Sequence, residues 1–435
     1  MTHQRPADSR TVHVEGLARV EGEGSLLVEV RDGTVETVEL EIFEPPRFFE
    51  AFLQGRRHTE APDITARICG ICPVAYQTSA CLAMEDACGV EITDQIAALR
   101  RLLYCGEWIQ SHALHIHFLH APDFFGCEDA VELAGLDLPA VQRGLEIKKV
   151  GNHLMEAIGG RAIHPVNVRV GGFYRAPSRE ELAALVEPLR RARDAALVSV
   201  GWVAGFEFPD IEIEYRFVSL RHPDYYAIES GRVVSSEGLD VDVKGLSDLV
   251  VEDHVARSNA LHARLGGQDM YLTGPLSRYA LNYGQLSPLA REAAAAAGLG
   301  TVCNNPFKSI TVRAVELVYA CEEALRLIEA YEPPDPPAVE VPGTAGTGYG
   351  ASEAPRGLLF HRYELDSDGL IRAARIVPPT SQNLLCMEDD LRRVAQANLS
   401  LPDEELGWLC EQTVRNYDPC ISCATHFLDV SVERR

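Results

Sequence analysis

The chain has no apolar run approaching the roughly 18 residues a transmembrane helix needs. Residues 1–10 are polar and lack an apolar signal core, and Arg5 and Arg10 stand apart rather than as a twin-arginine pair. The sequence therefore reads as cytoplasmic, with no direct membrane insertion. Internal repeats and low-complexity tracts are absent. Positive charge is short: 40 Lys and Arg face 64 Asp and Glu, a net charge of −24. Such a surface repels phosphate backbones, which excludes nucleic acid as a partner. Disulfide spacing is missing too. The 12 cysteines are spread through 435 residues, 46% of them hydrophobic, enough to bury a large core without staples.

Patterning is present where charge and cysteine are thin. Residues 11–43 alternate apolar and polar, and Asp32-Gly33 divides them, which predicts an antiparallel hairpin. Pro73 opens a helix to about Cys88, closed by Gly89. Helices are expected over 93–119, with a buried stripe at Ile96, Leu99, Leu103 and Ile109, and over 139–158, 290–297 and 311–330. Ser178 and Glu181 form a capping box that opens a helix to about Val198. Residues 209–271 are mixed. Residues 333–350, rich in proline and glycine, read as a loop. A second hairpin spans 357–377, and helices follow near 386–398 and 403–415. The expected fold is α+β and mainly helical: a large helical bundle with small antiparallel sheets near the N-terminus and in the C-terminal third.

Two Cys-x-x-Cys pairs, Cys69–Cys72 and Cys420–Cys423, lie near opposite ends of the chain. Each is a short chelate, and together they can offer four thiolates, which select zinc, iron–sulfur, copper(I) or nickel. A four-cysteine zinc knot usually joins pairs some 15–20 residues apart and staples a small domain. A thioredoxin-like motif needs a βαβ context that neither pair has. Cys81, Cys88, Cys105, Cys127, Cys303, Cys321, Cys386 and Cys410 are scattered and read as small buried hydrophobes. Glu21, Glu50 and His426 accompany the pairs; taken singly, each reads as a solvated surface residue.

The segments RVEGEG at 19–24, RICGICPVA at 67–75, GGRAIHPVNVRVGGF at 159–173, EAPRG at 353–357, RIVPPTSQN at 375–383 and DPCISCATH at 418–426 together resemble the large subunit of nickel–iron hydrogenases. The resemblance runs the length of the chain. It implies nickel on four thiolates, with Cys69 and Cys420 terminal and Cys72 and Cys423 bridging to an iron that carries carbon monoxide and cyanide. The implied reaction is the reversible heterolytic cleavage of hydrogen, H2 ⇌ 2 H+ + 2 e−. Glu21 matches the proton-relay glutamate, whose carboxyl burial would tune toward the operating pH. Arg356 matches the arginine over the open metal face, with Asp418 and Pro355 beside it. Val377, Pro378 and Thr380 match the segment around the iron's diatomic ligands, with the Thr380 hydroxyl as donor to cyanide. Glu50, the carbonyl of Ile376 and His426 match a magnesium site that clamps the last residues. His164 has two readings: a hydrogen bond beside the metals, or a satisfied core histidine.

Tyr76 stands where many relatives carry a histidine that donates to a bridging thiolate; its hydroxyl takes that place here. Ser111 and the wordings CGICPVA and HAPDFFG are closest to the soluble, cofactor-coupled group of these enzymes. The remaining cysteines are too scattered for a wire of iron–sulfur clusters. The resemblance therefore implies an iron–sulfur small subunit, and beyond it a flavin-containing module acting on NAD or NADP. It also implies nickel-insertion factors and a maturation protease. Residues 1–426 are expected to form a single domain whose core is assembled from both ends, with 427–435 removed on maturation. A hydrogen sensor, a non-catalytic subunit related to respiratory complex I and a structural zinc protein are the competing readings.

Overall fold

The computed structural model describes residues 9–425; His426 and the tail expected to be cleaved lie outside the described residues. The N-terminal hairpin forms as the pattern predicts. Strands β2 (Gly24–Arg31) and β3 (Thr34–Ile42) pair antiparallel with Arg31 opposite Thr34. Asp32 and Gly33 both take positive φ, 52° and 76°, as a two-residue hairpin turn demands. A third strand, β1 (Ser9–Val14), adds to the free edge of β2.

Helix α1 (Pro73–Cys88) starts on its proline and ends on Gly89 in the left-handed region. Helix α2 (Asp94–Leu114) is capped by the Thr93 hydroxyl, which accepts from the Ile96 N–H at 3.3 Å. Its end differs from expectation. The last turns widen into a π-helical stretch, His115–His120, before a short helix, Ala121–Phe124. Helices α3 (Leu138–Gly159), α4 (Val186–Ala204) and α5 (Ser309–Glu329) pack with α2 as the bundle. The capping box at Ser178 is present, but it opens only the short helix Arg179–Ala183, not one to Val198. Pro188 explains the break. It has no N–H and its ring clashes with the carbonyl four residues back, so it is tolerated only in the first turn of a new helix, where it sits.

The predicted loop over 333–350 is overturned in its last residues. Strand β4 (Gly346–Ala354) pairs with β5 (Gly357–Leu365), and β5 with β6 (Ile371–Val377). Its glycines are not loop formers. A Cβ on Gly348 or Gly350 would overlap the carbonyl oxygens of Ala83 and Ser79, so bare backbone is what lets β4 lie directly on α1. Helices α6 (Pro379–Ala397) and α7 (Asp403–Arg415) follow as expected, with α6 starting earlier.

Small sheets are not confined to the two ends. Residues 218–241 form a three-stranded sheet, and ribbons form at Val250–His254 with Leu261–Leu265 and at Val168–Arg169 with Gly172–Phe173. The main hydrophobic core fills the bundle and extends to β1–β3. A second cluster, including Val218, Leu220, Leu358, Phe360 and Val377, joins the middle sheet to β5 and β6. After α7 the chain turns back into the interior, and Cys420 forms a parallel bridge with Glu21. The segments around Glu21 and Cys420 thereby meet.

Candidate metal centre

Cys69 follows a tight turn, Ala66–Ile68, and Cys72 is the residue that precedes Pro73 at the start of α1. Cys420 and Cys423 flank the short helix at Ile421–Ala424. All four thiols are buried, at 1–3% exposure, and their sulfurs lie within 4.8 Å of one another. They pair crosswise. Cys69 Sγ is 3.4 Å from Cys420 Sγ, and Cys72 Sγ is 3.8 Å from Cys423 Sγ, with 2.7 Å between Cys420 and Cys423. Among the described residues this is the only group of three or more His, Cys, Asp or Glu placed to hold a metal ion.

Charge inside such a pocket is costly unless compensated. Hydrogen bonding with Cys420 holds Cys69 well below its ordinary thiol value, while burial pushes Cys420 up. The protein offers Arg356 as a cation beside the sulfurs. One guanidinium cannot balance four thiolates, so the donor set suits soft or borderline cations. Arg356 occupies the tip of the β4–β5 hairpin. Its Nε donates to the Asp418 carbonyl at 2.6 Å and its Nη2 to the Asp418 carboxylate at 3.1 Å. Burial opposes its charge, yet Asp418 and the thiols of Cys420 and Cys72 keep it well above its ordinary value. Asp418 takes a positive φ of 53°, and burial raises its carboxyl against the pull of Arg356. Three buried polar atoms around the sulfurs have no conventional hydrogen-bond partner: Arg356 Nη1, Asp418 Oδ2 and the Tyr76 hydroxyl. Orphaned groups of this kind fit a site built for ligands beyond the protein's own.

The remaining expected residues fall into place unevenly. Glu21 is half-buried; its carboxylate oxygen lies 3.1 Å from Cys420 Sγ and accepts from the Ser422 N–H at 3.0 Å. Thr380, near the start of α6, accepts from the Cys420 N–H at 3.0 Å through its hydroxyl, which leaves its proton free to donate. Val377 ends β6 and Pro378 precedes α6, both beside that threonine. The Pro355 carbonyl is held by Arg278 at 2.9 Å. Tyr76 lies in α1; burial, then charge on Cys423, pushes its phenol well above the ordinary value. Its contact with Cys423 is looser than a normal hydrogen bond. His164 does not reach the sulfurs. Its Nδ1 pairs with the Ala66 carbonyl at 2.7 Å, so it braces the turn that leads to Cys69.

Glu50 and Ile376 do meet: the carboxylate accepts from the Ile376 N–H at 2.7 Å. Ile376 thus turns its N–H away from β5. In an antiparallel pair a residue's carbonyl points to the same side as its N–H, so that carbonyl also faces Glu50. Burial pushes the Glu50 carboxyl up to about 8, against the Ile376 N–H.

Several residues that hold the centre escaped the sequence reading. Arg47 reaches both cysteine segments at once, donating to the carbonyl of Ile68 at 2.6 Å and to that of Ser422. Glu107, in α2, accepts from the Val74 and Ala75 N–H groups at 2.6 and 3.1 Å and so caps α1 just past Cys72. Burial holds its carboxyl well above the ordinary value. Arg278 fixes the hairpin that carries Arg356 and is itself paired with Glu316 and Glu353. Arg47 lies three residues before Glu50, but only the carboxylate suggested chemistry. Glu107 and Arg278 carry no local signal.

The family model described as nickel-dependent hydrogenase matches residues 47–137 and 275–426, more than half of the chain. The chain belongs to the nickel-dependent hydrogenase family. Sulfhydrogenase 1 subunit alpha of Pyrococcus furiosus is 33% identical over 95% of this chain and 97% of its own length. The subunit beta of the NAD-reducing hydrogenase HoxS of Cupriavidus necator is 27% identical over 97% of this chain and 95% of its own. A solved NAD+-reducing [NiFe]-hydrogenase in its H2-reduced state superposes with a TM-score of 0.84 at 28% identity, covering 96% of this chain and 99% of that one. This hydrogenase large subunit thus has the fold, the chemistry of hydrogen activation and the nickel–iron centre the motifs implied. The zinc and complex I readings fall. No helix among the described residues is long and apolar enough to cross a membrane.

Proposed function

We propose that the chain cleaves and forms H2 at a nickel–iron centre held by Cys69 and Cys420 as terminal ligands and Cys72 and Cys423 as bridges, with Glu21 carrying the proton. The crosswise pairing of the four sulfurs, with the Glu21 carboxylate 3.1 Å from Cys420, is the observation that carries this reading. When bound, the two metals would supply an open coordination position for H2 and take up the two electrons that its cleavage releases. The protein's own groups do the rest. A proton on Cys420 Sγ passes to the Glu21 carboxylate, and the half-buried side chain hands it outward. Arg356, locked by Asp418, holds fixed positive charge beside the sulfurs without reorganising. The free proton of the Thr380 hydroxyl could donate to a cyanide on iron, and Val377 and Pro378 would shield such ligands from water. Glu50, the Ile376 carbonyl and His426 would hold magnesium, whose charge would relieve the burial of the Glu50 carboxylate.

Electrons leave through an iron–sulfur small subunit and pass to a flavin module acting on NAD or NADP; the likeness to the NAD-reducing HoxS subunit supports that direction. Residues 1–426 form the working domain in the cytoplasm. Nickel-insertion factors load it, and a protease then removes 427–435. Metal analysis with a turnover assay on the purified complex tests the reading. The expected result is nickel, iron in excess of nickel as the small subunit's clusters require, and sustained H2 turnover. Zinc without nickel, or hydrogen binding without turnover, would overturn it.

A further inference from the structure

Asp123 lies away from the sulfurs, in the short helix after the π-helical turn, and it is buried. Three cationic or proton-donating groups converge on its carboxylate. Arg19 Nη2 reaches Oδ1 at 2.6 Å, and Arg415 reaches Oδ1 and Oδ2 at 2.7 and 2.8 Å. His120 Nδ1 lies 3.0 Å from Oδ2. A carboxylate only accepts, so His120 carries its proton on Nδ1. His120 Nε2 meets the Asn416 side-chain amide at 2.9 Å. Burial works against the charge of Asp123, but His120 and Arg415 hold its carboxyl well below the usual range.

The two arginines lead to the two halves of the proton-transfer pair. Arg19 is two residues before Glu21, and it holds a positive φ of 58° while its Nη1 donates to the Leu119 carbonyl at 2.9 Å. Arg415 ends α7, five residues before Cys420. Its Nη1 donates to the Ala18 carbonyl at 3.0 Å, and its own carbonyl accepts from the Asp418 N–H at 3.0 Å and pairs with His115 at 2.8 Å. Both guanidiniums also lie over the Trp408 ring, at 5.5 and 5.8 Å. Two like charges around one indole repel: burial first, and then the charge of Arg415, lowers the Arg19 pKa. The shared carboxylate of Asp123, with Glu411 3.4 Å from Arg415 Nη1, offsets that repulsion. Beyond the hub the two strands touch directly: the Glu21 carbonyl accepts from the Ile421 N–H at 2.9 Å, and its carboxylate from the Ser422 N–H.

We infer that Asp123 is a positioning residue that locks the Arg19–Glu21 segment against the Arg415–Cys420 segment and thereby sets the distance between the Glu21 carboxylate and Cys420 Sγ. The inference rests on the reading of Glu21 as proton carrier. Proton transfer depends on donor–acceptor distance, and a misplacement near 1 Å can cost about 10²-fold in rate.

The test uses the assembled, metal-loaded enzyme and three forms: wild type, E21Q and the double variant D123N/R19Q. The double variant removes the carboxylate together with one of its two arginines, which avoids leaving both unpaired in the interior. Nickel content, amide hydrogen exchange at Ile421 and Ser422, and isotope exchange between D2 and water are measured in each. D123N/R19Q is expected to keep its nickel, to exchange those two amides at least about tenfold faster, and to lose about 10²-fold in isotope exchange. Faster amide exchange with wild-type isotope exchange would make Asp123 a structural brace and overturn the inference. Wild-type behaviour in both readouts would overturn it as well. E21Q separates the two claims. Wild-type isotope exchange in E21Q sinks the Glu21 reading and the inference with it, whereas slow E21Q beside a normal D123N/R19Q sinks the inference alone.

Discussion

Backbone strain collects around the four cysteines. Among the described residues five non-glycines have positive φ, and Asp32 belongs to the hairpin turn. The other four, Arg19, Phe48, His164 and Asp418, adjoin Glu21, Arg47, the Ala66 carbonyl and Cys420. Each costs on the order of 1–3 kcal/mol and persists only where surrounding contacts over-determine it. Glu21→Gln keeps the four thiols and the Ser422 N–H contact but removes the titrating proton. It is expected to keep nickel and iron while isotope exchange between D2 and water falls roughly 10²–10⁴-fold; undiminished exchange would rule out the relay. Arg47→Met removes a charged donor from two carbonyls and should lower unfolding free energy by about 3 kcal/mol, with reduced nickel retention. Denaturant titration and metal analysis check both. Glu21, Arg356, Asp418 and Thr380 were picked out by the resemblance alone, each standing in one of the six runs that carry it. Arg47, Glu107, Arg278 and Asp123 act through distant backbone or buried charge, and no spacing marks a residue whose partners lie far along the chain.

Elements with their own start and stop signals were the most legible. Pro73 and Gly89 delimit α1, and Asp32-Gly33 sets the β2–β3 register. Strand β4 was not legible: its glycines mimic a loop until α1 is seen lying against them. The start of α1 carries Cys72, so its cap matters. Glu107→Ala leaves the buried Val74 and Ala75 N–H groups unpaired and should destabilise the fold by about 2 kcal/mol; differential scanning fluorimetry would detect it. Helix α6 is tied to the C-terminal return through Asp390, which accepts from the Tyr215 and Tyr417 hydroxyls at 2.6 and 2.7 Å. Burial raises its carboxyl to about 7, against those two hydrogen bonds. The folded state therefore favours the protonated form. That contribution is complete below about pH 4, where the unfolded chain also binds the proton, and is lost as pH rises through 7. Unfolding free energy of wild type minus Asp390→Asn should fall by roughly 4 kcal/mol between those limits. A flat difference would show that Asp390 is ionised throughout.

At the scale of the whole molecule, the centre joins segments that lie far apart along the chain. RVEGEG and the described residues 418–425 meet because the latter pass inward beside Glu21 and under Arg47. That convergence was implied by the resemblance and not by local pattern, since nothing in either Cys-x-x-Cys pair specifies its partner. In the proposed cleavage after the second cysteine pair, His426 would become the terminus. Intact mass measurement of the loaded enzyme should find the chain ending at His426; any other mature end contradicts this. The central claim is that the crosswise thiols hold a nickel–iron pair whose iron carries diatomic ligands. Infrared spectroscopy of the purified complex tests it most directly. The account predicts bands from metal-bound carbon monoxide and cyanide that shift when H2 replaces the gas phase. A spectrum without such bands, in protein whose four cysteines are intact, would contradict it.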